Sequence, residues 1–180
     1  MKKLMFMLAA AAVAASVQAA SVVWTCTNVK DGSGSPISGV AYFINAATLS
    51  QSDFAALNGA DAFNTALSGM YSWTPATAGK YSSSATNAQL GLADATTGYT
   101  AYIAVFDTAT ITDSSKYYLT AVSDPFDTLA GSYEQQVKWG SQSAASQAAG
   151  AWTSVSVPEP TSGLLLLVGM AGLALRRRRA

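Results

Sequence analysis

Hydrophobic positions along this chain change period several times, and each change marks an element. Ser21 to Val29 reads Ser-Val-Val-Trp-Thr-Cys-Thr-Asn-Val, rich in β-branched and aromatic residues with partial alternation, which predicts a strand. Lys30 to Ser38 is turn chemistry throughout, and Gly39 to Asn45 predicts a second strand that pairs with the first as a hairpin. The period then lengthens. Over Ser50 to Gly59, Ser50 is placed to cap a short helix, Asp53 lies near its positive end, Phe54 and Leu57 share a face, and Asn58-Gly59 stops it. A second short helix follows, with Asp61 near its start, Phe63 and Leu67 four apart and Ser68-Gly69 at its end. Together the two helices are expected to cover an edge or end of a sheet.

Met70 to Trp73 suggests a brief strand, whereas Pro75 to Asn87 is Gly, Ser, Thr and Ala with little to bury and predicts a long surface loop. Tyr99 to Asp107 is the strongest strand pattern, apolar enough on both faces to lie centrally in a sheet. After the turn at Asp113-Ser114-Ser115, Lys116 to Val122 returns antiparallel to it. Tyr133, Gln135, Val137 and Trp139 alternate with polar neighbours as a half-exposed or edge strand, and Trp152 to Val157 forms a last one. The pattern predicts a mainly β fold, a single antiparallel β-sandwich-like domain with two short helices over residues 20–156. Helices of a different kind flank it, a signal helix and a transmembrane helix.

At the N-terminus, Met1-Lys2-Lys3 precedes the apolar run Leu4 to Ala15 and then Ser16-Val17-Gln18-Ala19. A basic start, a short apolar core and small residues at Val17 and Ala19 describe a secretory signal peptide over 1–19, directing export through the Sec translocon. Cleavage is expected between Ala19 and Ala20, because a cut after Ala20 would put Gln18 at the third position back. Removing the ends changes the charge picture. Of ten basic residues, six are Lys2, Lys3 and Arg176 to Arg179, so the remainder carries four lysines against ten acids, a formal charge of −6. An acidic body of this kind does not bind nucleic acid. Cys26 is the only cysteine, which excludes an intrachain disulfide, and Trp24-Thr25 before it do not fit a lipidation motif.

The C-terminal end joins Val157-Pro158-Glu159-Pro160 to an uncharged stretch, Thr161 to Leu175, and then to Arg176-Arg177-Arg178-Arg179. As a helix of fifteen residues it would reach ~22 Å against ~30 Å of hydrocarbon. Such a span is held if the bilayer thins and the arginine stems snorkel, with the arginines fixing the cytoplasmic side. Pro158, Glu159 and Pro160 lie outside the apolar run and stay at the membrane surface. In order and spacing, residues 157–180 closely resemble the PEP-CTERM sorting signal of Gram-negative bacteria. That resemblance implies a precursor held in the inner membrane by residues 161–175 and processed by an exosortase-type membrane protease. It further implies that the body reaches the cell surface or extracellular matrix, where exopolysaccharide is a candidate partner.

The body lacks the usual catalytic sets. With no histidine in the chain, Ser-His-Asp, Cys-His and ordinary zinc sites are excluded, and no phosphate-binding glycine loop or Gly-x-Ser-x-Gly elbow occurs. No catalytic residue, metal site or cofactor is therefore assigned, and the expected function is a non-enzymatic structural or adhesive role. Asp31-Gly-Ser33-Gly-Ser35 is similar to the Asp-x-Ser-x-Ser metal signature of von Willebrand A domains, but it leads into a strand rather than a helix, so a plain loop is expected. Asp107, Asp113, Asp124, Asp127 and Glu134 are the candidates for an acid-only glycoside hydrolase, and the loop aspartates among them for calcium, although turn sequences favour aspartate for local hydrogen bonding. Trp73, Trp139 and Trp152 offer a further alternative, a carbohydrate-binding platform, against a packing role in the core.

Overall fold

The structure is a computed structural model that describes residues 20–129 and 134–156. The signal segment 1–19, the sorting segment 157–180 and Tyr133 lie outside the described residues. The strands and helices are β1 (Ser21–Thr27), β2 (Ala41–Asn45), α1 (Gln51–Ala55), α2 (Ala60–Ala66), β3 (Ser72–Trp73), β4 (Lys80–Thr86), β5 (Ala101–Phe106), β6 (Lys116–Leu119), β7 (Glu134–Ser141), α3 (Ser143–Ser146) and β8 (Thr153–Ser154). They build a three-stranded sheet in the order β4-β1-β7 and a five-stranded sheet in the order β3-β2-β5-β6-β8.

β5 organises the interior. All six of its residues are buried, and the period of two divides them between separate apolar clusters. Ala101, Ile103 and Val105 face the three-stranded sheet, where they meet Val22, Trp24, Tyr81 and Val137. Tyr102, Ala104 and Phe106 face the other way, onto Phe54, Phe63 and Leu67 from the two helical segments. Its neighbours obey the same division, with Phe43 and Tyr118 in the first cluster and Ile44 and Tyr117 in the second. The result is three layers, and the central strand pattern sits in the middle strand of the middle layer, as its double-sided hydrophobicity requires. The antiparallel pairing of β5 with β6 also follows the expected hairpin.

α1 and α2 form where the sequence places them, whereas α3 lies in a stretch for which the sequence predicts no element. Ser50 Oγ accepts from the Asp53 amide (3.1 Å) and donates to Asp53 Oδ2 (2.7 Å), a reciprocal cap. Gly59 cannot cap α2 with a side chain, so Asp113 reaches across from a distant turn and accepts from the Ala60 amide at 2.8 Å. Both helices lie on the face of the five-stranded sheet rather than at its edge or end, because Tyr102, Phe106 and Tyr117 make that face apolar.

Three expectations need correction. The first two strands do not pair; they lie in different sheets and face each other through Trp24 and Phe43, whose ring centroids are 6.3 Å apart. The turn residues between them instead close on themselves through a bridge between Lys30 and Pro36, which redirects the chain from one layer to the next. The expected loop over 75–87 contains β4, paired with β1 at seven successive positions. Its small residues are complementary to β1: Ser83 lies opposite Trp24 and Ala85 opposite Val22, leaving the indole room, while Tyr81 fills the space by Cys26. Strand character here comes from a partner's bulk. Finally, the all-antiparallel expectation fails at β7, which occupies a sheet edge as predicted but runs parallel to β1, with a bulge between Thr25 and Cys26. A parallel pair needs a long crossover, and the chain from β2 to β6 supplies it.

Cys26 lies on the inner face of β1, fully buried, and burial pushes its thiol up to about 12. The thiolate is the reactive form. Maleimide labelling is therefore expected to be negligible in the native protein at neutral pH and complete in denaturant; rapid native labelling would contradict the packing of β1.

Candidate functional site

The loop after β1 is built by one carboxylate. Asp31 Oδ1 accepts from the Ser33 hydroxyl (2.7 Å), the Ser35 amide (2.8 Å) and the Ser33 amide (2.9 Å). The Asp31 main chain closes the ring, its carbonyl accepting from Gly34 at 3.0 Å and its amide donating to Ser35 at 2.9 Å. Gly34 supplies the left-handed φ of 89° that this closure requires. The Ser33 hydroxyl first, and then the loop amides, favour the ionised carboxyl and hold its pKa below the ordinary value. Ser33 and Ser35 thus serve the closure of the loop.

Topology sets this loop beside three others. A cleft of about 500 Å³ opens between them, and its lining includes Asp31, Asp107, Lys116, Gln147 and Trp152. Asp107 and Lys116 stand at the β5–β6 end, tied by the Lys116 amide donating to Asp107 Oδ1 at 2.8 Å. Gln147 follows α3; its Nε2 donates to the Ser143 carbonyl (2.8 Å), and its Oε1 sits against Gly34 of the Asp31 loop. Trp152 forms the apolar wall. Its ring packs on Tyr118 at 5.9 Å, and its Nε1 donates to the carbonyls of Ser146 (2.9 Å) and Lys30 (3.1 Å), so the half-buried indole is held by a ring contact and by a shared N–H. The cleft is thus lined by a half-buried tryptophan, two acidic residues, a glutamine and a lysine.

The other candidates do not come together. Asp113 caps α2, and Asp127 Oδ1 accepts from the Gly98 amide at 2.9 Å. Asp124 and Glu134 are exposed on separate segments, Glu134 at the start of β7. Among the described residues, no group of three acidic or cysteine side chains is arranged to hold a metal ion. Nor do the three tryptophans make one platform. Trp73 lies on β3, and Trp139 lies on β7 with its ring 6.1 Å from Phe43 and its Nε1 donating to Ala121 at 2.9 Å. Both pack against the core. Only Trp152 lines the cleft, and no spacing in the sequence associates it with Gln147, Lys116 or the Asp31 loop.

Of the residues assigned to processing, Ala20 is described: it is buried immediately before β1, and its carbonyl accepts from the Asn87 amide at 3.0 Å. Ala19, Pro158, Glu159, Pro160 and Arg176 to Arg179 lie outside the described residues. Among the described residues no helix is long and apolar enough to cross a membrane. The expected transmembrane helix over 161–175 falls outside them. Residues 156–179 match the family model of the PEP-CTERM protein-sorting motif. No curated protein and no solved structure matches the chain.

Proposed function

We propose, for this exported protein whose PEP-CTERM signal makes it an exosortase substrate, that the β domain is a non-catalytic adhesive module that holds saccharide chains at the cell surface or in the matrix. The membrane-anchored precursor is processed for the cell surface; the cleft provides what the released domain does there. The observation that carries the reading is that Trp152 lines one cleft together with Asp31, Asp107, Lys116 and Gln147. A sugar ring has an apolar face and a rim of hydroxyls, so it stacks on an indole while its hydroxyls bond to carboxylates and carboxamides.

Retention rather than hydrolysis is supported by the state of Asp31. Glycoside cleavage requires one carboxyl group kept protonated as a general acid. Asp31 is pushed in the opposite direction by its own loop.

Co-sedimentation of the secreted protein with isolated host exopolysaccharide tests the proposal. Trp152→Ala is expected to weaken retention about tenfold, corresponding to ~1.4 kcal/mol for a lost ring face. Gln147→Ala changes an exposed residue and is expected to weaken retention by a smaller factor without altering the melting temperature. Retention of both variants at the parent level would refute the saccharide reading, and release of reducing sugar would refute the non-catalytic one.

A further inference from the structure

The start of β1 holds an acceptor with no donor. Asn87 is 2% exposed at the end of β4, and its Nδ2 donates to Asp94 Oδ1 (2.7 Å) and to the Leu129 carbonyl (3.3 Å). These two acceptors fix the orientation of the carboxamide, and its Oδ1 is left buried without a hydrogen bond. An unpaired buried carbonyl is costly, by about 1–3 kcal/mol, and such groups are rare in native proteins.

Its neighbour is Ala20. The Asn87 amide donates to the Ala20 carbonyl at 3.0 Å, continuing the antiparallel register of Ser21 with Thr86 by one position. In a hydrogen-bonded pair of this kind each residue's nitrogen faces the other's carbonyl. The Ala20 nitrogen therefore points at the Asn87 main chain, whose carbonyl already accepts from Leu90 (3.1 Å) and Leu92 (2.8 Å). Both residues are buried, so their side chains share the inner side of the sheet.

We propose that this strand end is a receptor for the α-ammonium group created when the signal peptide is removed. Water cleaves the Ala19–Ala20 bond, its oxygen leaving on the Ala19 carboxylate, while Ala20 keeps the nitrogen, which is protonated at neutral pH. A peptide nitrogen has one hydrogen and an ammonium has three. The additional donors, together with the freedom of a chain end, allow Asn87 Oδ1 to be satisfied where the uncut chain cannot satisfy it.

The surrounding charges favour a cation. Asp94 is bonded to the same carboxamide, and Glu134 is the register partner of Ser21 on the other side of β1. The lysines of this sheet are remote from the strand start, Lys80 opposite Thr27 and Lys138 opposite Thr25. Since β1 is the central strand, seating its terminus ties the ends of β4 and β7 together. Export thus completes the fold of the three-stranded sheet. This inference is independent of the saccharide reading.

The test compares secreted proteins. N-terminal sequencing is expected to give Ala20 first. Inserting Ser-Gly between Ala19 and Ala20 moves the new ammonium away while keeping every native side chain, and is expected to lower the melting temperature by about 5 °C. Asn87→Ala alone is destabilising because Nδ2 bonds are lost, so the decisive comparison is the insertion in that background. There the further loss is expected to fall below half of its value in the parent. An equal loss in both backgrounds, no loss in the parent, or a mature chain that begins at any other residue would overturn the proposal.

Discussion

Gly39→Ala is expected to prevent folding or to lower stability by more than about 4 kcal/mol, the range reached when backbone segments are forced apart. A Cβ at this position would lie 1.9 Å from the Phe106 carbonyl oxygen, 2.6 Å from the Thr108 nitrogen and 2.7 Å from the Asp107 carbonyl carbon. All three are main-chain atoms, so no rotamer relieves the overlap. The approach is close because the Phe106 amide donates to the Val40 carbonyl (2.8 Å) and the Val40 amide donates to Thr108 (3.0 Å), clamping β2 on β5. Separating them also disturbs the buried Tyr81 hydroxyl, which is shared between the carbonyls of Gly39 (3.1 Å) and Ile37 (3.3 Å). Gly32 is the control. It lies in the same loop, and a Cβ there meets nothing within 4 Å, so Gly32→Ala is expected to change stability by less than ~1 kcal/mol. Urea denaturation followed by tryptophan fluorescence separates the two; a Gly39→Ala midpoint equal to that of Gly32→Ala would show that the layers are not held as described.

Which parts of this fold can be read from the residues depends on whether the cause is local. β5 is legible because six successive buried residues need cover on both faces, and α1 because Ser50, Asp53 and Phe54 carry a cap and an anchor within one turn. β4 is not, since Ser82, Ser83 and Ser84 acquire strand geometry from pairing with β1 and from the bulk of Trp24 opposite Ser83. The direction of β7 is likewise invisible. Its alternation fixes the buried face at Val137, but the same alternation serves a parallel or an antiparallel neighbour.

The same distinction applies to function. The sorting signal is a contiguous segment whose chemistry is its order of parts, so it is legible in full and the family match covers it. The cleft is assembled from four segments brought together by the exchange of strands between two sheets. Asp31 stands out in the sequence through its serine spacing, but for a loop closed by its own hydrogen bonds; nothing local marks Gln147 or distinguishes Trp152 from Trp73 and Trp139, which pack against the same core.

Phe54→Ala is expected to cost about 3–5 kcal/mol, or roughly 10–20 °C in melting temperature for a domain of this size. Phe54 is fully buried on a five-residue helix, too short to be stable by propensity, so its packing is what holds α1 to the sheet. Its ring centroid lies 5.1 Å from Tyr117, 5.2 Å from Phe63, 6.1 Å from Tyr102 and 6.4 Å from Phe106, the first three in edge-to-face arrangements. Truncation therefore removes the transfer energy of a phenyl ring, the quadrupolar contacts of three pairs and the filling of a space that β5 and β6 cannot collapse into. Phe54→Leu keeps most of the volume and is expected to recover more than half of the loss. Thermal melts monitored by near-ultraviolet circular dichroism measure both. If Phe54→Ala melted within ~3 °C of the parent protein, the helical layer would be peripheral to the fold, and the second apolar face of β5 would need another cover.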